Sequence, residues 1–232
     1  MPRAHERAGI GPADGGWAVL VDGAPILTPL RAPLVVPTEA LAAAIAEEWR
    51  RQGEKVRPDT MPMTQMAVTA LDRVRPGREP MVESIVRYGE TDLVCYRASA
   101  PPALVERQRA TWQPLVDWVA LVLDASLRVV EGVMPDRQPA GALTALRAAV
   151  AGQDDWRLAA LSVATAATGS LVLGLALLAG QVDAAGAWAA SQVDETFQIE
   201  QWGEDAEAAG RRAALRAEIE AASRFLALLQ PC

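Results

Sequence analysis

The segment Leu158–Val182 runs for 25 residues without a charged side chain, and it constrains the fold more than any other stretch of the chain. A window of that length can cross a bilayer, which takes about 20 apolar residues in a helix; otherwise it has to be wrapped in other protein. Ser162, Thr165, Thr168 and Ser170 interrupt it. Thr168-Gly169-Ser170 reads as the end of one helix and the cap of the next. The expectation is a pair of buried helices at the centre of an α-helical domain, not an integral membrane segment.

Charge placement sharpens this picture. The net charge is −7, and between Leu158 and Gly210 there is no Lys or Arg, while Asp183, Asp194, Glu195, Glu200, Glu204, Asp205 and Glu207 all fall there. An acidic surface repels phosphate backbones, which argues against a nucleic-acid partner, and it suits a partner with exposed basic groups. The same charges also serve plain solvation. With 51% hydrophobic and 22% charged residues, the composition is that of a soluble globular protein, and 232 residues allow one domain or two. Cys95 and Cys232 match no metal or redox spacing, and a reducing compartment is the simpler assumption. The first residues lack the apolar core of a secretory signal; residues 1–14 are read as a mobile tail and the location as cytoplasmic.

The periodicities predict an α+β fold, with a small β-rich domain over residues 15–100 that holds one or two helices and a helical bundle over 101–232. Trp17–Val21, the Asp22-Gly23 turn and Ile26-Leu27 read as a hairpin, and Leu34–Val36 as a further strand. A helix opening at Thr38 aligns Leu41, Ile45 and Trp49 on one face, with Gly53 to end it. Met61, Met63 and Met66 suit gap filling in a core. After a helix at about Pro80–Tyr88 and a strand-like Asp92–Arg97, Ser99–Pro102 marks the domain boundary. Helices are expected over Ala103–Leu123, Ala140–Val150, Trp156–Ala167, Leu171–Ala179, Ala184–Trp202 and Glu207–Leu229, with a short extended piece near Leu127–Val130.

Catalytic chemistry finds few candidates. The lone histidine, His5, lies in the tail, so a Ser-His-Asp or Cys-His arrangement and a multi-histidine metal site are excluded. The lone lysine, Lys55, follows no Gly-rich phosphate loop. Acid pairs such as Glu47-Glu48, Asp154-Asp155 and Asp194-Glu195 leave a carboxylate-only, metal-assisted hydrolase as the alternative, with Asp194, Glu195 and Glu200 as its groups. Adjacent residues on a helix point about 100 degrees apart, which weakens it. No cofactor is expected.

Ser191–Asp205 is the most distinctive polar stretch. Trp188, Ser191, Glu195, Gln198 and Trp202 follow helical steps of three and four, placing Glu195 between two indoles on one stripe. Val193 and Phe197 form a neighbouring stripe that would face a core. A helix starting at Asp183 puts Asp194 and Glu195 in its middle, where no terminal dipole favours paired carboxylates. A surface helix with a Ser191/Asp194 capping box is the plainer reading.

Asp194, Glu195, Phe197, Gln198, Trp202 and Gly203 together resemble the C-terminal signature of the ATP12 family of ATP synthase assembly chaperones. Trp17–Pro29, Pro37–Gln52, Met61–Asp72, Thr91–Arg97 and Gln108–Trp118 are similar to further segments of that family, in the same order. The resemblance implies a chaperone without enzymatic activity that holds the unassembled alpha subunit of the soluble F1 sector and keeps it from aggregating until it pairs with beta. It implies a monomer when free, and a matrix location in mitochondrial relatives. The client-binding residues expected are Glu195, Asp194, Gln198, Trp202, Trp188 and Glu200.

Overall fold

A computed structural model describes residues 7–132 and 136–230, so His5 and Cys232 lie outside the described residues. The fold is α+β, with strands near the N-terminus and helices thereafter. Two compact units divide the chain. The first takes the chain up to Arg78, Asp154–Ala160 and the segment from Arg224 on; the second comprises Glu79–Gln153 and Leu161–Ser223. The expected boundary at Ser99–Pro102 therefore falls inside the second unit.

In the first unit, β2 (Gly16–Val21) is the strand on which the sheet is built. It pairs antiparallel with β1 (Ala8–Ala13), β3 (Ala24–Pro25) and β4 (Val35–Val36). The expected hairpin forms as β2–β3, with its second strand at Ala24–Pro25 instead of Ile26-Leu27, and both turn residues, Asp22 at φ 52° and Gly23 at φ 81°, adopt the left-handed conformation that such a turn needs. The tail reading fails over Ala8–Ala13. These residues pair along the whole of β2, from Ala8 opposite Val21 to Ala13 opposite Gly16. Gly9, Gly11 and Pro12 carry no strand propensity of their own, and pairing supplies what local preference lacks. At Gly16 the chain needs a glycine, because a Cβ there would lie 2.1 Å from the Val36 carbonyl oxygen.

Helix α1 (Glu39–Arg50) packs on this sheet through Leu41, Ala42, Ile45 and Ala46, all 0% exposed. Thr38 caps it by accepting from the Leu41 amide at 3.2 Å. Glu48, on the same helix, reaches to the start of α2 (Pro62–Thr69). It accepts from the Met63 and Thr64 amides at 2.8 Å and from the Thr64 hydroxyl at 2.7 Å, so its carboxylate closes the orphan donors of a helix N-terminus. Met61, Met63 and Met66 are buried as core filling requires. Helix α2 runs on into a π-helical turn over Ala70–Val74.

The second unit contains α3 (Arg78–Glu90) apart from its first residue, α4 (Pro102–Leu123) and α5 (Ala140–Ala151). From Leu161 on, α6 (Asp155–Thr168) belongs to it, followed by α7 (Leu171–Leu178), α8 (Ala184–Ser191), α9 (Val193–Trp202) and most of α10 (Ala206–Leu228). The expected strand over Asp92–Arg97 is mostly a 3-10 turn at Leu93–Cys95, followed by β5 (Tyr96–Arg97), which pairs in parallel with β6 (Val130–Glu131).

The uncharged segment forms the expected helix pair, α6 and α7, joined at Gly169 with φ 69°. Seven of the eight residues of α7 are buried. Its N-terminus is closed twice, by Ser170 accepting from the Leu173 amide at 3.0 Å and by Asp92 accepting from the Val172 amide at 3.0 Å. The Ser170 hydroxyl in turn donates to Asp92 at 2.5 Å. Burial outweighs these hydrogen bonds and raises the Asp92 pKa to about 6. Among the described residues no helix is long and apolar enough to cross a membrane.

Candidate functional site

The stretch that carries the expected client-binding residues is two helices rather than one. Asp183 caps α8 by accepting from the Gly186 amide at 2.7 Å. The chain then leaves helical geometry at Gln192, with φ −113° and ψ 19°, and restarts as α9. Ser191 is not an N-cap; its hydroxyl donates to the Trp188 carbonyl at 2.8 Å. Asp194 and Glu195 lie in the first turn of α9, not in mid-helix. The restart answers the electrostatic objection to two adjacent carboxylates, since the positive end of the helix dipole favours both.

Helix α4 holds α8 and α9 from the side. Trp112, 0% exposed, donates from its indole nitrogen to the Ala190 carbonyl at 2.7 Å. Gln108, also buried, accepts from the Ala98 amide at 2.7 Å and donates to Asp194 Oδ1 at 2.6 Å. Arg107 makes a two-pronged pair with Glu200, both contacts at 2.9 Å, and lies 5.5 Å from the centre of the Phe197 ring. This pairing lowers the Glu200 pKa and raises that of Arg107. Behind them the Arg97 guanidinium stacks on Trp112 at 5.3 Å and donates to the Gln108 carbonyl at 2.8 Å. Burial lowers its pKa.

Helix α10 spans the break between α8 and α9 with one residue. Arg212 stacks over Trp188 at 5.5 Å, donates to the Gln192 side chain at 3.0 Å and pairs with Glu204 at 2.8 Å. Sequence reasoning missed Arg107, Gln108 and Arg212. Their only local signal is a set of polar residues on otherwise ordinary helices.

The six expected residues therefore separate into two groups. Asp194, Glu200 and Trp188 are taken up by Gln108, Arg107 and Arg212. Glu195, Gln198 and Trp202 remain on one exposed face of α9, at spacings of three and four, and Trp202 is 79% exposed. Val193 is buried and Phe197 half-buried, on the inward stripe. The hydrolase alternative needs Asp194, Glu195 and Glu200 to converge, whereas two of them are committed to different partners on α4. Among the described residues no three His, Cys, Asp or Glu side chains gather as a metal site would require.

Known proteins share both the sequence and the architecture. The sequence model of the family described as ATP12 chaperone protein matches residues 3–120. The chain belongs to the ATP12 chaperone family. Atp12 from Paracoccus denitrificans, in its crystal structure, is 45% identical with a TM-score of 0.91, and the alignment covers 98% of each chain. An Agrobacterium tumefaciens protein is 40% identical with a TM-score of 0.92, covering 98% of this chain and 86% of its own. The mitochondrial protein atp12 of Schizosaccharomyces pombe is 24% identical over 202 residues, which is 82% of this chain and 69% of that protein. The TM-scores extend the ATP12 likeness over nearly the whole chain, including α8–α10, beyond the last residue that the family model matches.

Proposed function

We propose that this ATP12-family protein is a non-enzymatic chaperone for assembly of the F1 sector of ATP synthase, and that it binds the unassembled alpha subunit in the cytoplasm through the exposed face of α9. The observation that carries this reading is the juxtaposition of Trp202, 79% exposed, with Glu195 and Gln198 on one stripe of a helix whose Asp194 and Glu200 are tied to α4 and whose Thr196 is tied to α10. An indole supplies contact area to an apolar oligomer interface, and the neighbouring carboxylate orients the client by pairing with one of its basic groups. Asp194 and Glu200 act here as positioning residues. They pin the helix from which Glu195 and Trp202 project.

Affinity capture of the tagged protein, followed by mass spectrometry at moderate salt, tests the reading. Free alpha subunit without the rest of the complex should be recovered by the wild type. Glu195→Lys should lose it while far-ultraviolet dichroism and melting stay unchanged. A folded wild-type protein that recovers no alpha subunit would sink the proposal.

A further inference from the structure

An arginine lying over an aromatic ring, with a carboxylate at its edge, is the recurring contact of this chain. Arg107 lies 5.5 Å from the centre of Phe197 and grips Glu200 through two bonds of 2.9 Å. Arg212 lies over Trp188 at 5.5 Å and pairs with Glu204 at 2.8 Å. In the first unit, Arg75 lies over Trp156 at 5.9 Å and reaches Asp155 at 3.4 Å. Arg97 over Trp112 lacks the carboxylate and takes the Gln108 carbonyl instead. The arrangement repeats because a guanidinium is a planar cation, whose face meets the negative face of a ring while its edge donates to an acid. In each case the ring is buried or half-buried and the arginine comes from the chain itself.

Trp202 differs. It ends α9, it is 79% exposed, and among the described residues no guanidinium lies over it. The arginines of α4 and of the opening turns of α10 are already engaged: Arg107 with Glu200, Arg109 with Glu106, Arg211 with Glu207 and Arg212 with Glu204. Cancelling all of these pairs, and setting the buried Arg97 against Asp194, still leaves Glu195 on α9 and Asp205 just beyond it. Asp205 accepts only from the uncharged Glu207 and Ala208 amides, both at 2.9 Å, and so keeps its full charge. The carbonyls at the C-terminal end of α9 add partial negative charge beside the indole. The Gly203 amide, donating to the Ile199 carbonyl at 2.8 Å, closes the helix there and braces the backbone that carries Trp202. An apolar occupant would cover the ring and leave the surrounding negative charge unanswered. A lysine would answer the charge as a point cation, whereas an arginine answers the charge and stacks on the ring.

The geometry points to Trp202 as the receptor of an arginine side chain of the partner protein, its guanidinium laid on the indole. Glu195, two turns back and about 10 Å away along the helix, is too far for the same guanidinium and takes a second basic group. The assignment rests on the proposed use of the α9 face and adds the side chain that this face selects. The test measures anisotropy of labelled synthetic peptides on the full-length protein. The peptides share a helix-forming alanine-glutamine sequence and differ only at two positions set seven apart, which hold Arg, Lys, citrulline or norleucine. The Arg peptide binds about fivefold more tightly than the Lys peptide, and the two uncharged peptides bind about tenfold more weakly than the Arg peptide. Trp202→Leu keeps apolar bulk without the ring and erases the preference for Arg over Lys, whereas Trp202→Phe retains it. Glu195→Gln weakens the Arg and Lys peptides alike, and each variant melts as the wild type does. Equal affinity of the Arg and Lys peptides, a preference that survives Trp202→Leu, norleucine binding as tight as arginine, or no binding of the Arg peptide overturns the proposal. Capture of alpha subunit separates it from the wider reading. Equal recovery by wild type and Trp202→Leu overturns the arginine site alone; a wild type that recovers no alpha subunit while the peptide order holds overturns the client and leaves the site.

Discussion

Helices α7 and α9 are close in length and differ in nearly everything else. Seven of eight residues are buried in α7, and only Val193 is buried in α9. Helix α7 is specified by packing. A Cβ on Gly174 would lie 2.4 Å from the Thr165 hydroxyl, so even a methyl group is excluded there. Helix α9 is specified from its sides, by Gln108 and Arg107 of α4, and its remaining face stays open. The contrast separates two ways of holding a helix: burial that leaves no free surface, and lateral polar contacts that hold position while surrendering a face to solvent.

The largest effect that sharpens this contrast should come from α7. Leu173→Ala removes a side chain that is 0% exposed and should cost about 4 kcal/mol in urea unfolding, from lost transfer energy plus a cavity. An effect under about 1 kcal/mol would mean that α7 is not held by packing.

Asp92 tests the polar closure of the same helix. Its pKa is raised from 3.8 to about 6 by burial, so the folded state binds the proton more tightly than the unfolded state. The Asp92 contribution to stability therefore improves as pH falls from above about 6 to below 3.8, by about 3 kcal/mol in all. The measurable quantity is the difference between wild type and Asp92→Asn, because carboxylates held low by partners, such as Glu200 and Asp205, push the wild-type curve the other way. A difference that is flat with pH would show that Asp92 does not titrate in the folded protein.

Smaller still is Gln108→Leu, which leaves the Ala98 amide and Asp194 Oδ1 without their partner and should cost about 2 kcal/mol. It should also reduce client recovery, since Asp194 anchors α9. Unchanged hydrogen exchange across Val193–Ile199 in this variant would argue that α9 does not depend on α4. The smallest stability effect belongs to Glu195→Lys. Its side chain is exposed with no ion-pair or hydrogen-bond partner among the described residues, and surface substitutions of this kind stay within about 0.5 kcal/mol. A large melting shift would place Glu195 among the fold residues.

Much of the fold was legible before any coordinates. The helical periods of α1, α4, α6, α7 and α10, the Asp22-Gly23 hairpin and the burial of Met61, Met63 and Met66 all follow from local pattern. The misses have a common origin. Strand β1 forms because β2 offers it partners, and the break at Gln192 falls where Arg212 of α10 contacts both Trp188 and Gln192. In the same way, Trp49 is readable as part of a core helix face, but the role of Glu48 as the cap of α2 is visible only once α2 is in place.

By itself the sequence determined the fold class, the buried helix pair, the acidic second half and the family to which the chain belongs, because each depends on composition, period or ordered local motifs. The tertiary structure decided which of the residues from Trp188 to Trp202 face solvent. Period places residues on a face but is silent about what approaches that face. Arg107 and Gln108 come from a helix distant in sequence and Arg212 from the next helix along the chain, and their geometry alone leaves Glu195, Gln198 and Trp202 open while engaging Asp194, Glu200 and Trp188.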